Sequence, residues 1–229
     1  MKGTASDYFG RLVAEYDSLI RRCVPRYAEM TERLLDYLPD DPRSILELGC
    51  GTGNLTLRLL ERFPTARLTT IDGSSEMVAL TTHRAGHDAQ RLEAREGRFE
   101  EVDAAPGSFD LVTSCISLHH VQDKGSLYRR LFDVLAPGGH LVFADQLRGG
   151  DERVHARNWE RWLEFCRSGE PCTEEEIESL LEHAEAHDHY TPLPEHFRLL
   201  EGAGFADLDC VWRNWIWGIV VARRPPRAP

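Results

Sequence analysis

The chain has 229 residues, 41 % hydrophobic and 28 % charged, a balance that excludes wholesale disorder and suits one domain with a full core. Its 27 basic and 38 acidic residues give a net charge of −11, which argues against nucleic acid as a partner. No apolar run approaches the roughly 18–20 residues of a membrane helix, and the longest, Trp215 to Ala222, has the length of a strand.

The opening MKGTASDYFGRL lacks the apolar core of a signal peptide, so a soluble cytoplasmic protein is expected. Leu12, Tyr16, Leu19 and Ile20 fall at helical spacing, as do Met30, Leu34, Leu35 and Leu38. Residues 1–42 therefore read as an N-terminal helical cap, closed by Pro39 and Pro42. Residues 43–147 change texture. Strands are predicted at Ser44–Leu48, Ala66–Ile71, Arg91–Glu96, Phe109–Cys115 and His140–Ala144. Helices are predicted at Asn54–Arg62, Ser74–His83 and Lys124–Leu135. Strands alternating with helices predict a parallel sheet covered on both faces.

Residues 148–195 break that alternation and read as a helical insertion. Trp159 and Trp162 are three apart and share a helix face. Thr173, followed by three glutamates, has the form of an N-cap. Residues 196–229 complete the core with the helix Glu195–Glu201, ended by Gly202 and Gly204. A hairpin of Ala206–Arg213 and Trp215–Ala222 follows, with Trp215 and Trp217 on one side of its second strand. The tail RRPPRAP is expected to fray. The six cysteines are scattered without a C-x-x-C pair and read as small reduced hydrophobes.

The chemistry concentrates at Ile45-Leu-Glu-Leu-Gly-Cys-Gly-Thr-Gly-Asn54, where a strand feeds a glycine-rich turn that opens a helix. Glycine lets a ligand approach the backbone closely. The spacing is G-x-G-x-G, not the G-x-G-x-x-G of dinucleotide-binding enzymes. Asp72 ends the next strand, nineteen residues past Gly53, where an acid can accept hydrogen bonds from both hydroxyls of a ribose. No basic residue follows the glycines until Arg58, so a phosphate clamp is not expected.

These residues resemble the class I S-adenosylmethionine-dependent methyltransferases. ILELGCGTGN resembles the first motif of that superfamily, TTIDGSSEMV its ribose-binding motif, and FDLVTSCISLHHV and LFDVLAPGGHLVFAD the segments around its fourth and fifth strands. The resemblance covers roughly residues 43–146. It implies an α/β, Rossmann-like fold, a mostly parallel seven-stranded sheet with helices on both faces, and S-adenosylmethionine as cofactor with S-adenosylhomocysteine as product. It also implies a cofactor site. Glu47 would help hold the methionine ammonium, and Gly49, Cys50, Gly51, Gly53 and Asn54 would line the loop. Asp72 and Gly73 would stand at the ribose and Met77 against adenine. Ser114, Cys115 and Ile116 would border the sulfonium. Gly97-Arg98-Phe99 departs from the pattern, because members commonly carry an acid where Arg98 stands. Arginine cannot accept a bond from the adenine amino group, so Arg98 would stack, Phe99 would offer its backbone amide, and Glu100 is the nearest acid.

His119 and His120 follow the fourth strand and Asp145 ends the fifth, so a His–Asp base pair is expected, with His119 preferred. Tyr16 and Asp17 resemble an N-terminal segment that closes over the cofactor. In the insertion, His155, Trp159, Trp162 and Arg167 are candidates to contact substrate, the tryptophans reading equally well as core. His183, His187 and His189 with Asp188 invite a metal reading, but LLEHAEAHDHY reads as a charged, solvated helix end, and no metal is expected.

The function expected is methyl transfer to a small molecule, oxygen slightly ahead of nitrogen or sulfur, by a monomer or homodimer. Two alternatives stand beside it. The terminal segments VAEYDSLIRRCVPRY and HFRLLEGAGFADLDCVWRNWIWGIVVARR resemble a set that includes the enzyme making carboxy-S-adenosylmethionine for tRNA modification. In that reading Arg167 would bind a carboxylate. The other alternative is a non-catalytic protein that binds S-adenosylmethionine.

Overall fold

The computed structural model describes residues 15–227. Leu12 and the end of the tail lie outside these residues. Among the described residues, two helices, α1 (Tyr16–Cys23) and α2 (Tyr27–Asp36), precede the sheet. Then come β1 (Ser44–Leu48), α3 (Asn54–Arg62), β2 (Arg67–Asp72), α4 (Ser75–Ala85), β3 (Leu92–Glu96), β4 (Phe109–Cys115), α5 (Lys124–Val134) and β5 (Leu135–Arg148). The insertion supplies α6 (Glu152–Cys166) and α7 (Glu174–His187), and the two-residue β6 (Thr191–Pro192), α8 (Leu193–Ala203), β7 (Ala206–Asn214) and β8 (Trp217–Arg223) finish the chain.

The strand order is β3-β2-β1-β4-β5-β8-β7, with β6 beside β5. β1 to β5 run parallel, and β8 and β7 are antiparallel additions at one edge. The order reverses between β1 and β4, which opens a crevice at their carboxyl ends, where α/β sheets collect ligands.

Side chains alternate across the sheet. Ile45, Leu111, Val142 and Ala144 join α1, α2 and α3 in one core cluster. Leu46, Leu48, Val112 and Phe143 join α5 and α8 in the other. The insertion packs on the first cluster. Trp162 is buried and its Nε1 donates to the Cys23 carbonyl at 2.7 Å. Arg22 of α1 reaches Glu176 of α7 in a bidentate pair at 2.7 and 2.6 Å. Thr173 and Glu176 form the capping box that starts α7.

Most expected boundaries shift by one or two residues, and two changes matter more. β5 starts at Leu135, before the Pro137-Gly-Gly139 turn, because Leu135 pairs with Phe109 and His140 with Leu111, so the turn bulges out within one strand. The last hairpin turns at Trp215, whose φ of 55° takes it out of the strand. Trp215 and Trp217 therefore do not share a strand face. Trp217 is buried in the core. Among the described residues, no helix is long and apolar enough to cross a membrane.

Candidate active site

The turn after β1 is forced by its neighbours. Gly49 has φ +81°, and a Cβ there would lie 2.0 Å from Ser117 Oγ, so the loop after β4 can approach only a glycine. Gly51 has φ +50°, and its Cβ would meet nothing nearer than Tyr16 at 3.9 Å. That side of the loop stays open toward a cleft. Thr81 of α4 donates to the Gly51 carbonyl at 2.9 Å and holds the loop from below. Asp72, at the end of β2, accepts from the Gly51 N–H at 2.9 Å and the Ser74 N–H at 3.0 Å. Burial pushes its carboxyl above the ordinary value, while these amides act against that rise.

Asp72 and the loop wall a cavity of about 570 Å³ at the crevice. That volume lies within the roughly 300–1,000 Å³ typical of ligand sites. Of the residues expected at a cofactor, Gly49, Cys50, Gly51, Asn54, Asp72, Gly73, Met77, Arg98, Phe99, Cys115 and Ile116 line it. Arg98 is a rim residue: its side chain is 72 % exposed and pairs with Glu100 at 3.3 Å.

Three expected cofactor residues stand elsewhere. Glu47 shares the face of Ile45 by strand alternation, so it points into the layer under α3. It is fully buried, and Thr56 Oγ1 donates to it at 2.6 Å. Burial pushes its carboxyl up to about 8. Gly53 begins α3 and packs toward Thr81. Ser114 is buried, with its hydroxyl donating to the Leu48 carbonyl at 2.7 Å.

A second cavity of about 60 Å³ adjoins the first, and Tyr16 and Ile116 line both. Its walls are mostly apolar, from Leu19, Ile20, Trp162, Leu180 and Trp217, with His119, Gln146, His183, Asp188 and Tyr190 as the polar side. The turn after β4 divides its two histidines between the cavities. His119 is 4 % exposed and faces the smaller one. Its Nδ1 lies 2.5 Å from Asp145 Oδ1, and its backbone N–H donates to Asp145 Oδ2 at 2.9 Å. His120 faces the larger cavity, with Nδ1 3.1 Å from Asp188 Oδ1. The expected His119–Asp145 pair is thus formed, and its histidine faces the smaller cavity rather than the larger.

Burial alone would lower the His119 pKa, but the charges of Asp145 and Asp188 hold it above the ordinary value. Burial and the charge on His119 lower that of His120. Burial pushes His183 down to about 4. Asp145 and Asp188 stay below the carboxylate range despite burial, because His119 lies beside both.

Sequence reasoning missed Asp188 as a site residue. It read the end of α7 as solvated, yet the Asp188 side chain is 4 % exposed and His183 is buried. The segment after α7 docks on the turn after β4: His189 N–H donates to the His119 carbonyl at 2.7 Å, and Lys124 Nζ donates to the His189 carbonyl at 2.6 Å. Tyr190 donates its hydroxyl to Asp188 Oδ2 at 2.5 Å. Of the expected substrate contacts, Tyr16 and Trp162 line the smaller cavity. His155, Trp159 and Arg167 line neither cavity. Trp159 packs on Trp162 and Tyr190, with ring centroids at 4.8 and 5.8 Å. The His155 ring sits 5.9 Å from that of Trp159. Arg167 ends α6 with its side chain 48 % exposed, paired with Glu174 at 3.2 Å.

Residues 45–139 match the family model described as a methyltransferase domain. Over 168 residues the chain is 33 % identical to the demethylmenaquinone methyltransferase of Thermus thermophilus, covering 69 % of this chain and 74 % of that protein. The chain belongs to the class I S-adenosylmethionine-dependent methyltransferases. It is also 30 % identical over 169 residues to the carboxy-S-adenosyl-L-methionine synthase of Chromohalobacter salexigens, covering 69 % of this chain and 61 % of that relative. The fold matches that of the Haemonchus contortus phosphoethanolamine N-methyltransferase 2 in complex with S-adenosyl-L-methionine, with a TM-score of 0.71 at 16 % identity over 96 % of this chain and 58 % of that one.

The cleft fits the family's cofactor. The open side of Gly51 admits a ligand against the backbone, and the Asp72 carboxylate keeps lone pairs for a ribose diol beyond the two amides it accepts. Asp17 of α1 clasps the same loop. It accepts from Thr52 Oγ1 at 2.5 Å, from Asn54 Nδ2 at 2.8 Å and from Arg84 at 3.1 Å. Asp17→Ala is expected to speed amide exchange through α1 and to weaken S-adenosylmethionine binding by roughly three- to tenfold, since this clasp is half-exposed. Hydrogen–deuterium exchange reads it, and unchanged rates in α1 would refute the clasp.

Proposed function

We propose that this chain transfers a methyl group from S-adenosylmethionine to a small molecule, oxygen being favoured over nitrogen or sulfur as acceptor. The supporting observation is the junction of the two cavities: the cleft of Asp72 and the glycine loop runs past Ile116 and Tyr16 into a smaller chamber. The chamber, about 60 Å³, has room for the reacting end of a small, partly apolar acceptor and not for a nucleic acid strand, in keeping with the net charge of −11.

The cofactor supplies a methyl group on a sulfonium, which leaves as neutral S-adenosylhomocysteine. The chain's own work is alignment and exclusion of water. Asp72 holds the ribose, Met77 and Phe99 flank the adenine, and Cys115 and Ile116 border the reacting end. Tyr16 and the docked insertion close the chamber from bulk water. His119, Gln146, His183, Asp188 and Tyr190 form its polar wall and orient the acceptor, with Asp145 holding His119 from behind. Release of S-adenosylhomocysteine from a panel of small alcohols, phenols, carboxylic acids, amines and thiols tests the reading. Turnover with at least one hydroxyl or carboxyl compound is expected. Cofactor binding with no turnover across the panel would favour the non-catalytic alternative.

The position of Arg167 gives the carboxylated-cofactor alternative no support. Arg167 is a surface side chain paired with Glu174, outside both cavities. Arg167→Ala is expected to leave cofactor affinity within about twofold, as for an exposed ion pair. A loss beyond tenfold, measured by calorimetry, would restore that alternative.

A further inference from the structure

Three imidazoles converge on one carboxylate oxygen at the junction of the cavities. Asp188 Oδ1 lies 3.1 Å from His120 Nδ1, 3.8 Å from His119 Nε2 and 3.7 Å from His183 Nε2. The two longer separations exceed hydrogen-bond reach. They are close to the edges of a coordination tetrahedron, which measure about 3.3 Å for zinc with ligand bonds of about 2.0–2.1 Å. The ligand atoms of His119, His120 and Asp188 all lie within 4.8 Å of one another. The Asp188 side chain and those of His119 and His183 are 4–6 % exposed, so this is not a surface cluster of chance neighbours.

The surrounding groups orient these atoms as second partners orient metal ligands. Asp145 Oδ1 lies 2.5 Å from His119 Nδ1, which turns the Nε2 edge of the ring toward Asp188. Tyr190 donates to Asp188 Oδ2 at 2.5 Å, which leaves Oδ1 for the cluster. Asp145 and Asp188 together supply two negative charges beside a dication.

We propose that His119, His120 and Asp188, with His183 adjoining them through Asp188, form a binding site for a divalent transition metal of the zinc class. The binding follows from this side-chain geometry alone. Its consequence rests on the methyl-transfer reading. The ion stands between the cofactor cleft, which His120 faces, and the acceptor chamber, which His119, His183 and Asp188 face. A ligand exchange there binds an acceptor oxygen and favours loss of its proton to water. The oxygen lone pair then forms the bond to the methyl carbon as the sulfur–carbon bond breaks, so the site selects hydroxyl acceptors.

The test uses the full chain, treated with chelator and then titrated with Zn²⁺, and with Co²⁺ as a coloured probe. One zinc per chain is expected, at micromolar affinity or tighter, and cobalt should give the intense visible bands of four-coordinate nitrogen–oxygen ligation. Asp188→Asn and His183→Ala should each weaken zinc binding at least about tenfold, with thermal melts checking that they fold. If neither variant folds, the wild-type titrations decide alone. The cysteines are an independent soft site, so Cys172→Ser is included and should bind zinc as the wild type does. No zinc binding, the pale spectrum of six-coordinate cobalt, or a thiolate charge-transfer band would each overturn the proposal. S-adenosylmethionine binding is measured on the same chelator-treated protein. A chain that binds the cofactor but not zinc refutes this inference and leaves the family reading intact.

Discussion

Asp72→Ala is expected to weaken S-adenosylmethionine binding about 100-fold. The carboxylate sits at the carboxyl end of β2 and lines the large cavity. Charge-assisted hydrogen bonds to a ribose diol contribute about 1.5–3 kcal/mol each. Loss of both, partly replaced by water, amounts to roughly 3 kcal/mol, or about two decades in affinity. The same substitution frees the N–H groups of Gly51 and Ser74, so the loop itself loosens. An analogue separates the two effects. 2′-Deoxy-S-adenosylhomocysteine should bind the wild type more weakly than S-adenosylhomocysteine, whereas Asp72→Ala should not distinguish them. Equal discrimination by both proteins would remove Asp72 from the ribose.

Glu47→Gln is expected to stabilise the cofactor-free chain, and more so as pH rises. Glu47 is fully buried under α3, and its carboxyl is pushed from 4.5 to about 8. Below pH 4.5 it is protonated whether the chain is folded or not, and it costs nothing. Between 4.5 and about 8 the unfolded chain ionises it while the folded chain keeps it neutral, so the unfolded state gains. At about 1.4 kcal/mol per unit, the wild type loses roughly 5 kcal/mol over that window. Glutamine keeps the acceptor oxygen for Thr56 and does not titrate. Denaturant melts at pH 5 and pH 8 should therefore diverge, with the variant's advantage larger at pH 8. A constant difference between the two pH values would show that Glu47 ionises normally in its site.

The centre of this fold was legible because its grammar is local. β1, the glycine turn and α3 follow one another within ten residues, and β1, α3 and β4 have the boundaries that apolar pattern and caps predict. Asp72 was legible because one β-α-β unit fixes its distance from the loop. Glu47 could have been placed as well. It lies two residues from Ile45 on a strand, so it must share Ile45's face under α3 rather than line the cleft. The family pattern suggested otherwise.

On the acceptor side the His119–Asp145 pair was legible and the rest was not, for physical reasons. His119 and His120 stand on a short 3₁₀ turn, where neither strand nor helix periodicity says which ring faces inward. Asp188 lies at the end of a glutamate-rich helix that resembles a solvated surface. Only tertiary docking of the insertion carries it to His120. Arg167 could equally hold an anion or pair with a surface acid by its chemistry, and the end of α6 turns it to solvent beside Glu174. Charge and residue type gave the chemistry available, and the chain's return path decided which of it meets the cleft.

The most direct measurement is calorimetric titration of the purified chain with S-adenosylmethionine, with NAD as the comparison. One binding event per chain for S-adenosylmethionine and none for NAD is the result predicted by the glycine loop and Asp72. A chain that leaves S-adenosylmethionine and S-adenosylhomocysteine unbound, and carries neither when it is denatured, would contradict the account at its centre.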